Sequence, residues 1–164
     1  MRLSKNFTLK ELTRSATALR LGIINKPDIV ALDNLQDLVN DLLQPIRDKI
    51  GAIRITSGYR NQDLCLALGS KKTSQHTKGQ AVDVQYYKNG KMNNKKIYDT
   101  IINSGLEFDQ LILEFGDSTS TKDPQEPDWI HISYKCKGNR REILIAYKDI
   151  DNKTRYRNPN NYFA

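Results

Sequence analysis

Cysteine is nearly absent, with only Cys65 and Cys136 in 164 residues. Two thiols cannot build a disulfide scaffold or a Cys-rich zinc finger; the sequence leaves open whether they pair with each other. No apolar run approaches the roughly 20 residues that cross a bilayer, so no membrane span is expected. The N-terminal stretch Met1-Arg-Leu-Ser-Lys-Asn-Phe-Thr8 has no continuous apolar segment, so no signal peptide is expected. There is no internal repeat and no Gly/Ser- or Pro-rich linker. The length therefore suits one domain over 1–164, with 149–164 a polar, basic and irregular tail. Helix-turn-helix and zinc-finger spacings are missing, so no nucleic-acid partner is expected. A monomer is expected.

Acidic residues are the scarcer charge. The chain carries 26 Lys and Arg against 19 Asp and Glu, a net charge of +7. The excess sits at the ends: residues 1–30 carry +4, residues 135–164 carry +5, and the middle carries −2. Basic ends suit an anionic partner such as the polyanions of a bacterial envelope, and equally a solvated surface with no partner.

Thr8 and Glu11 have capping-box spacing, so a short helix starts near Leu9. Pro27-Asp28 opens a longer helix with a stripe at Ile29, Leu32, Leu35, Leu38, Val39, Leu42, Leu43 and Ile46. Pro45 should bend it or restart its last turn, and Gly51 should end it. Ala52–Thr56 alternates as a strand, Asn61–Leu68 suits a short helix, and Ala81–Gln85 is a second strand. A helix over Asn93–Ser104 precedes strands at Gln110–Glu114, Trp129–Tyr134 and Glu142–Tyr147. Gly116–Asp128 is polar, with two prolines, and reads as a loop able to close over a substrate. Helices first and strands later imply an α+β fold, with N-terminal helices packed on a small, mainly antiparallel sheet.

The two histidines, His76 and His131, stand in unusual company. His76 lies in Ser74-Gln-His-Thr-Lys-Gly-Gln-Ala-Val-Asp83, and His131 in Asp128-Trp-Ile-His-Ile-Ser133. Period-two alternation sets Asp83 against Val82 and Val84, and His131 against Ile130 and Ile132. A carboxylate inside an apolar strand wants a partner. If the two strands are neighbours, His131 and Asp83 converge, and Gly79 lets the loop carrying His76 turn towards them. Two imidazoles and one carboxylate leave a fourth position for water, which is how a catalytic zinc site is built.

The pattern Ser74-x-His76-x-x-Gly79-x-Ala81-x-Asp83, followed by Asp128-x-x-His131, resembles the zinc peptidases that cut bacterial peptidoglycan. These are the D-alanyl-D-alanine carboxypeptidases and the phage L-alanyl-D-glutamate endopeptidases, which share a fold with the Hedgehog signalling domain. Ile55-Thr-Ser-Gly-Tyr-Arg60 looks like the family's upstream segment, and 7–141 looks like its small phage-type branch. The resemblance implies a Zn2+ cofactor held by His76, Asp83 and His131. It implies Asp128 as general base, with Glu126 and Glu114 as fallbacks; many relatives carry Glu at the position of Asp128. It also implies that Arg60 polarises the scissile carbonyl. Ser74 is a substrate-binding candidate or a simple turn serine. The implied substrate is a peptidoglycan stem peptide, cut at a D-Ala-D-Ala or L-Ala-D-Glu bond. Without a signal peptide, a phage lysin released to the wall through holin-type pores fits. The rival from another class is an inactive, zinc-bearing wall-binding module.

Outside the motif, Tyr86, Tyr87 and Tyr134 are candidates for a groove lining, and Lys71-Lys72 for attracting carboxylates. Cys65 and Cys136 are expected to be inert.

Overall fold

A computed structural model describes residues 1–160. Helices α1 (Leu9–Thr13), α2 (Ala16–Leu21), α3 (Ile29–Leu38) and α4 (Gln44–Ile50) come first. Strand β1 (Ile53–Ser57), helix α5 (Gln62–Ala67), a 3-10 turn (Gln75–Lys78), strands β2 (Ala81–Lys88) and β3 (Lys91–Met92) and helix α6 (Lys95–Asn103) follow. Strands β4 (Gln110–Glu114), β5 (Trp129–Ser133), β6 (Glu142–Lys148) and β7 (Thr154–Arg157) complete the mixed α+β fold. No helix of the described residues is long and apolar enough to cross a membrane.

The capping box forms: the Thr8 side chain accepts from the Glu11 N–H at 3.3 Å. Asp28 caps α3 in the same way through Ala31 N–H at 2.8 Å. The apolar stripe then buries Leu35, Leu38, Val39, Leu42, Leu43 and Ile46 completely, whereas Ile29 at its start is 75% exposed. A π-type turn over Val39–Leu43 separates α3 from α4. Pro45 explains it. Proline has no N–H to give and its ring crowds the carbonyl four residues back, so the wider turn absorbs both faults.

The sheet order is β1-β2-β5-β4-β6-β7, with β3 paired to β2 outside that path. All pairs are antiparallel except β4 with β6. One face is the core: Val82, Val84, Ile130, Ile132, Leu111, Leu113 and Ile145 are at most 4% exposed and pack against the helices. The other face carries the polar residues of these strands.

Two expectations fail. Residues 149–164 are not an irregular tail throughout, because Thr154–Arg157 pairs with β6; residues 161–164 lie outside the described residues. The loop between β4 and β5 is not a free lid. Arg157 donates from Nη1 to Asp123 at 2.7 Å and from Nε to Thr119 C=O at 3.0 Å, and Asn160 donates to Thr121 C=O at 2.7 Å. Glu126 accepts the backbone N–H groups of Asn94 and Lys95, capping α6. The edge strand and α6 thus bolt the loop in place. Cys65 is buried, Cys136 is exposed, and both are free.

Asp109 joins the strands at one end. Its side chain is 1% exposed and meets Arg140 at 2.7 Å, Lys135 at 2.8 Å and Gln75 at 2.9 Å. Burial alone would raise its pKa. The hydrogen bonds from Arg140 and Lys135 outweigh burial and hold the carboxyl well below the ordinary carboxylate range. A folded-state pKa below the unfolded one stabilises above about pH 4 and loses that contribution as pH falls further. Asp109→Asn should therefore cost about 2–3 kcal/mol at pH 7, a broken buried pair discounted for the half-exposed Arg140. Urea unfolding of both proteins at pH 7 and pH 3 checks this; the gap should narrow at pH 3, and an equal gap would place the effect elsewhere than in charge.

Candidate metal centre

The segment Ser57–Arg60 is shaped by its neighbours. A Cβ on Gly58 would stand 2.1 Å from Leu12 C=O, so only glycine lets the chain pass over α1. Tyr59 N–H donates to the same carbonyl at 2.7 Å. Ser57 Oγ accepts from Arg60 Nε at 2.7 Å and aims the guanidinium at β2. The loop after α5 reaches the same point through Ser74, whose Oγ accepts from His76 N–H at 3.3 Å and caps the 3-10 turn. Gly79 ends that turn at φ +71, and a Cβ there would stand 2.1 Å from Ala31 C=O.

Asp83 is the meeting point. β2 and β5 are neighbours, and Asp83 pairs directly with His131. His131 Nδ1 lies 3.0 Å from Asp83 Oδ1, and His76 Nε2 lies 3.4 Å from the same oxygen. Arg60 Nη2 donates to the other oxygen, Oδ2, at 2.7 Å. Burial would raise Asp83; the charge of His76 and the hydrogen bonds from both imidazoles outweigh it and hold the carboxyl far below the usual range. His76 Nδ1 lies 2.8 Å from Gly58 C=O. That carbonyl can only accept, so Nδ1 carries a proton and Nε2 is the nitrogen turned to the site, the backing a metal-ligating histidine has. One donor atom from each of His76, Asp83 and His131 lies within 4.8 Å of the others. Two nitrogens, one oxygen and an open side suit a catalytic divalent metal.

The centre lies in a cavity of about 1000 Å³, lined among others by Arg60, Lys71, Ser74, Gln75, Glu114, Trp129 and Tyr156. Among the sequence candidates, His76, Asp83, His131, Arg60 and Ser74 are brought together. Asp128 is not: it is exposed and absent from the lining. Its N–H donates to Glu114 C=O at 2.8 Å one residue before β5 begins at Trp129. Of the fallback bases, Glu126 is engaged in capping α6, and Glu114 faces the cavity at 8% exposure. Burial pushes Glu114 up to about 7, with His131 pulling it down and Asp83 adding to the rise. Tyr86, Tyr87 and Tyr134 are elsewhere. Tyr86 and Tyr134 bond to Ile50 C=O and Asp41, and the aromatic lining comes instead from Phe115, Trp129 and Tyr156. Of the lysine pair, only Lys71 reaches the cavity.

A family model for peptidase M15 matches residues 5–120. The chain belongs to the M15 peptidase family. No curated protein matches it. The matched segment holds Arg60, Ser74, His76, Asp83 and Glu114 of this peptidase and stops before Asp128 and His131. Glu114 was within reach of strand parity, since Gln110, Ile112 and Glu114 alternate against Leu111 and Leu113. Tyr156 was not, because its strand is four residues long and half of it is arginine.

The metal centre yields a measurable expectation. Purified peptidase should hold one Zn2+ per chain and unfold at a higher temperature with it than after chelation. His131→Ala should lose both the metal and the thermal shift, and retention of stoichiometric metal by that variant would remove the site as drawn.

Proposed function

We propose that the chain is a zinc-dependent peptidase of bacterial peptidoglycan, cutting stem peptides at a D-Ala-D-Ala or L-Ala-D-Glu bond, of the kind carried by phage lysins. The observation that carries this reading is the convergence of His76, Asp83 and His131 on the floor of an open cavity, in a chain of the M15 family. When bound, zinc would bring the pKa of a coordinated water towards about 7 and draw charge from the scissile carbonyl.

The chain's own groups do the rest. Asp83 is presented with Oδ1 to the centre because Arg60 holds Oδ2. Neither the Asp83 nor the Ser57 contact uses Arg60 Nη1, which is left to meet the oxygen of the scissile carbonyl. Ser74, on the cavity wall beside His76, is the proposed hydrogen-bonding partner of the substrate backbone. Asp128 is the proposed proton carrier, taking a proton from the attacking water and returning it to the leaving amine. Its place three residues before His131, as an exposed side chain at the head of β5, supports that role.

Purified wall digested with the peptidase should release fragments whose masses identify the bond cut. Intact wall after prolonged incubation, with binding retained, would favour the inactive wall-binding module. Asp128→Asn should keep its zinc and lose roughly 10²–10⁴ in turnover, the usual range for a positioned acid or base. Loss of the metal together with activity would make Asp128 a ligand instead. Unchanged activity would remove it from the reaction.

The basic ends supply a separate expectation. If they hold the enzyme on anionic wall polymers, wall binding should weaken as salt rises, because exposed charges are screened beyond about 8 Å at physiological ionic strength. Cleavage of a small soluble muropeptide should respond far less. Equal salt sensitivity in the two assays would move the effect into the active site.

A further inference from the structure

Two carboxylates line the cavity, and they are in opposite states. Asp83 has three partners. Glu114 is only 8% exposed, yet its carboxylate makes no ion pair or hydrogen bond among the described residues. It also stands outside the group of metal-donor atoms. Lys148, on the neighbouring β6, gives its ammonium to Thr154 Oγ1 at 2.8 Å and lies over the Phe115 ring at 5.2 Å. The Glu114 oxygens open on the cavity, so a partner for the carboxylate has to come from there.

The register shows what surrounds that gap. Trp129, Glu114, Ala146 and Tyr156 form one row across β5, β4, β6 and β7. Ala146 is small and buried, and Glu114, Trp129 and Tyr156 of this row all line the cavity. Phe115 packs edge-on against Trp129, with ring centroids 5.3 Å apart. A carboxylate between two aromatic side chains favours an organic cation by charge and by ring quadrupole. Along the strands this row is two residues from the Asp83–His131 row, about 7 Å. A group bound there therefore belongs to a substrate residue within about two of the bond being cut.

We propose that Glu114, Trp129 and Tyr156 form a subsite for a primary ammonium group of the substrate. This rests on the stem-peptide reading above and deepens it, since the ammonium is either the side-chain amine of the diamino acid or a free N-terminal amine. The subsite makes cleavage depend on an unmodified amine near the scissile bond, and Tyr156 brings the C-terminal strand into specificity.

The test is calorimetric binding of L-Ala-γ-D-Glu-L-Lys and of its Nε-acetyl and Nα-acetyl forms, at pH 7.5 with chelator present so that no bond is cut. Acetylation of one amine should weaken binding to the wild-type chain at least tenfold and identify which amine is read. Glu114→Gln should bind that peptide and its acetylated form alike, at the affinity of the latter. Because Glu114 has no internal partner, this variant should unfold no earlier than the wild type. Should it fail to fold, Tyr156→Leu on the exposed edge strand gives the second reading, with discrimination reduced several-fold.

Indifference of the wild-type chain to both acetylations, including failure to bind any of the three peptides, overturns the proposal. So does full discrimination by Glu114→Gln. If zinc-loaded Glu114→Gln loses turnover equally on free and acetylated peptides while binding both like the wild type, Glu114 is an acid or base and the subsite is wrong. Wall hydrolysis is read separately. A chain that discriminates the ammonium but cuts no wall keeps the subsite and removes the peptidase, and a peptidase indifferent to acetylation does the reverse.

Discussion

One buried carboxylate organises this molecule. Asp83 sits in the second strand from one edge of the main sheet path, in a segment otherwise made for burial, and is tolerable there only because cations and imidazoles surround it. Each partner arrives on a different element. Arg60 comes from the turn after β1, His76 from the 3-10 turn, and His131 from β5. Its demand for partners therefore fixes how three stretches of chain distant in sequence must meet. The glycines at 58 and 79 follow from the same demand, since each lets one of those stretches touch a helix at a distance no side chain permits.

The sheet keeps two unlike environments apart by parity alone. In β5, Ile130 and Ile132 enter the core while Trp129 and His131 face the cavity. A slip of one residue would bury the imidazole and expose both isoleucines, so the core enforces the register on which the metal centre depends. The apolar face against α3, α4 and α6 is accordingly part of the site's construction, although none of its residues touches the cavity.

Parity also explains what could be read from the sequence. The stripe from Leu35 to Ile46 and the alternation of β2 and β5 are long, regular patterns, and they gave the helix, the strands and the three candidate ligands. Asp128 shows where pattern stops. Its spacing from His131 is informative, but a side chain one residue before a strand is aimed by its loop, and the structure leaves it exposed outside the cavity lining. The expected lid failed for a related reason. Composition marked 116–127 as loop, while the groups that hold it, Arg157 and Asn160, lie far along the chain in a stretch too short and too polar to announce a strand.

That late strand changes the character of the cavity. The family match ends at residue 120, yet Trp129, Thr154 and Tyr156 all line the space beside the metal centre. The matched portion supplies two of the three candidate ligands and the arginine that holds one of them. The remainder supplies the third candidate ligand and two aromatic side chains of the wall, Trp129 and Tyr156. Glu114 lies at the seam between these portions, on β4, the strand that joins β5 to the parallel β6. Its neighbours across the sheet are a tryptophan on one side and an alanine backed by a tyrosine on the other, and its carboxylate opens on the cavity. Asp83, one strand further over, has every oxygen engaged. The same sheet face thus holds one carboxylate engaged by Arg60 and two imidazoles, and one open to the cavity.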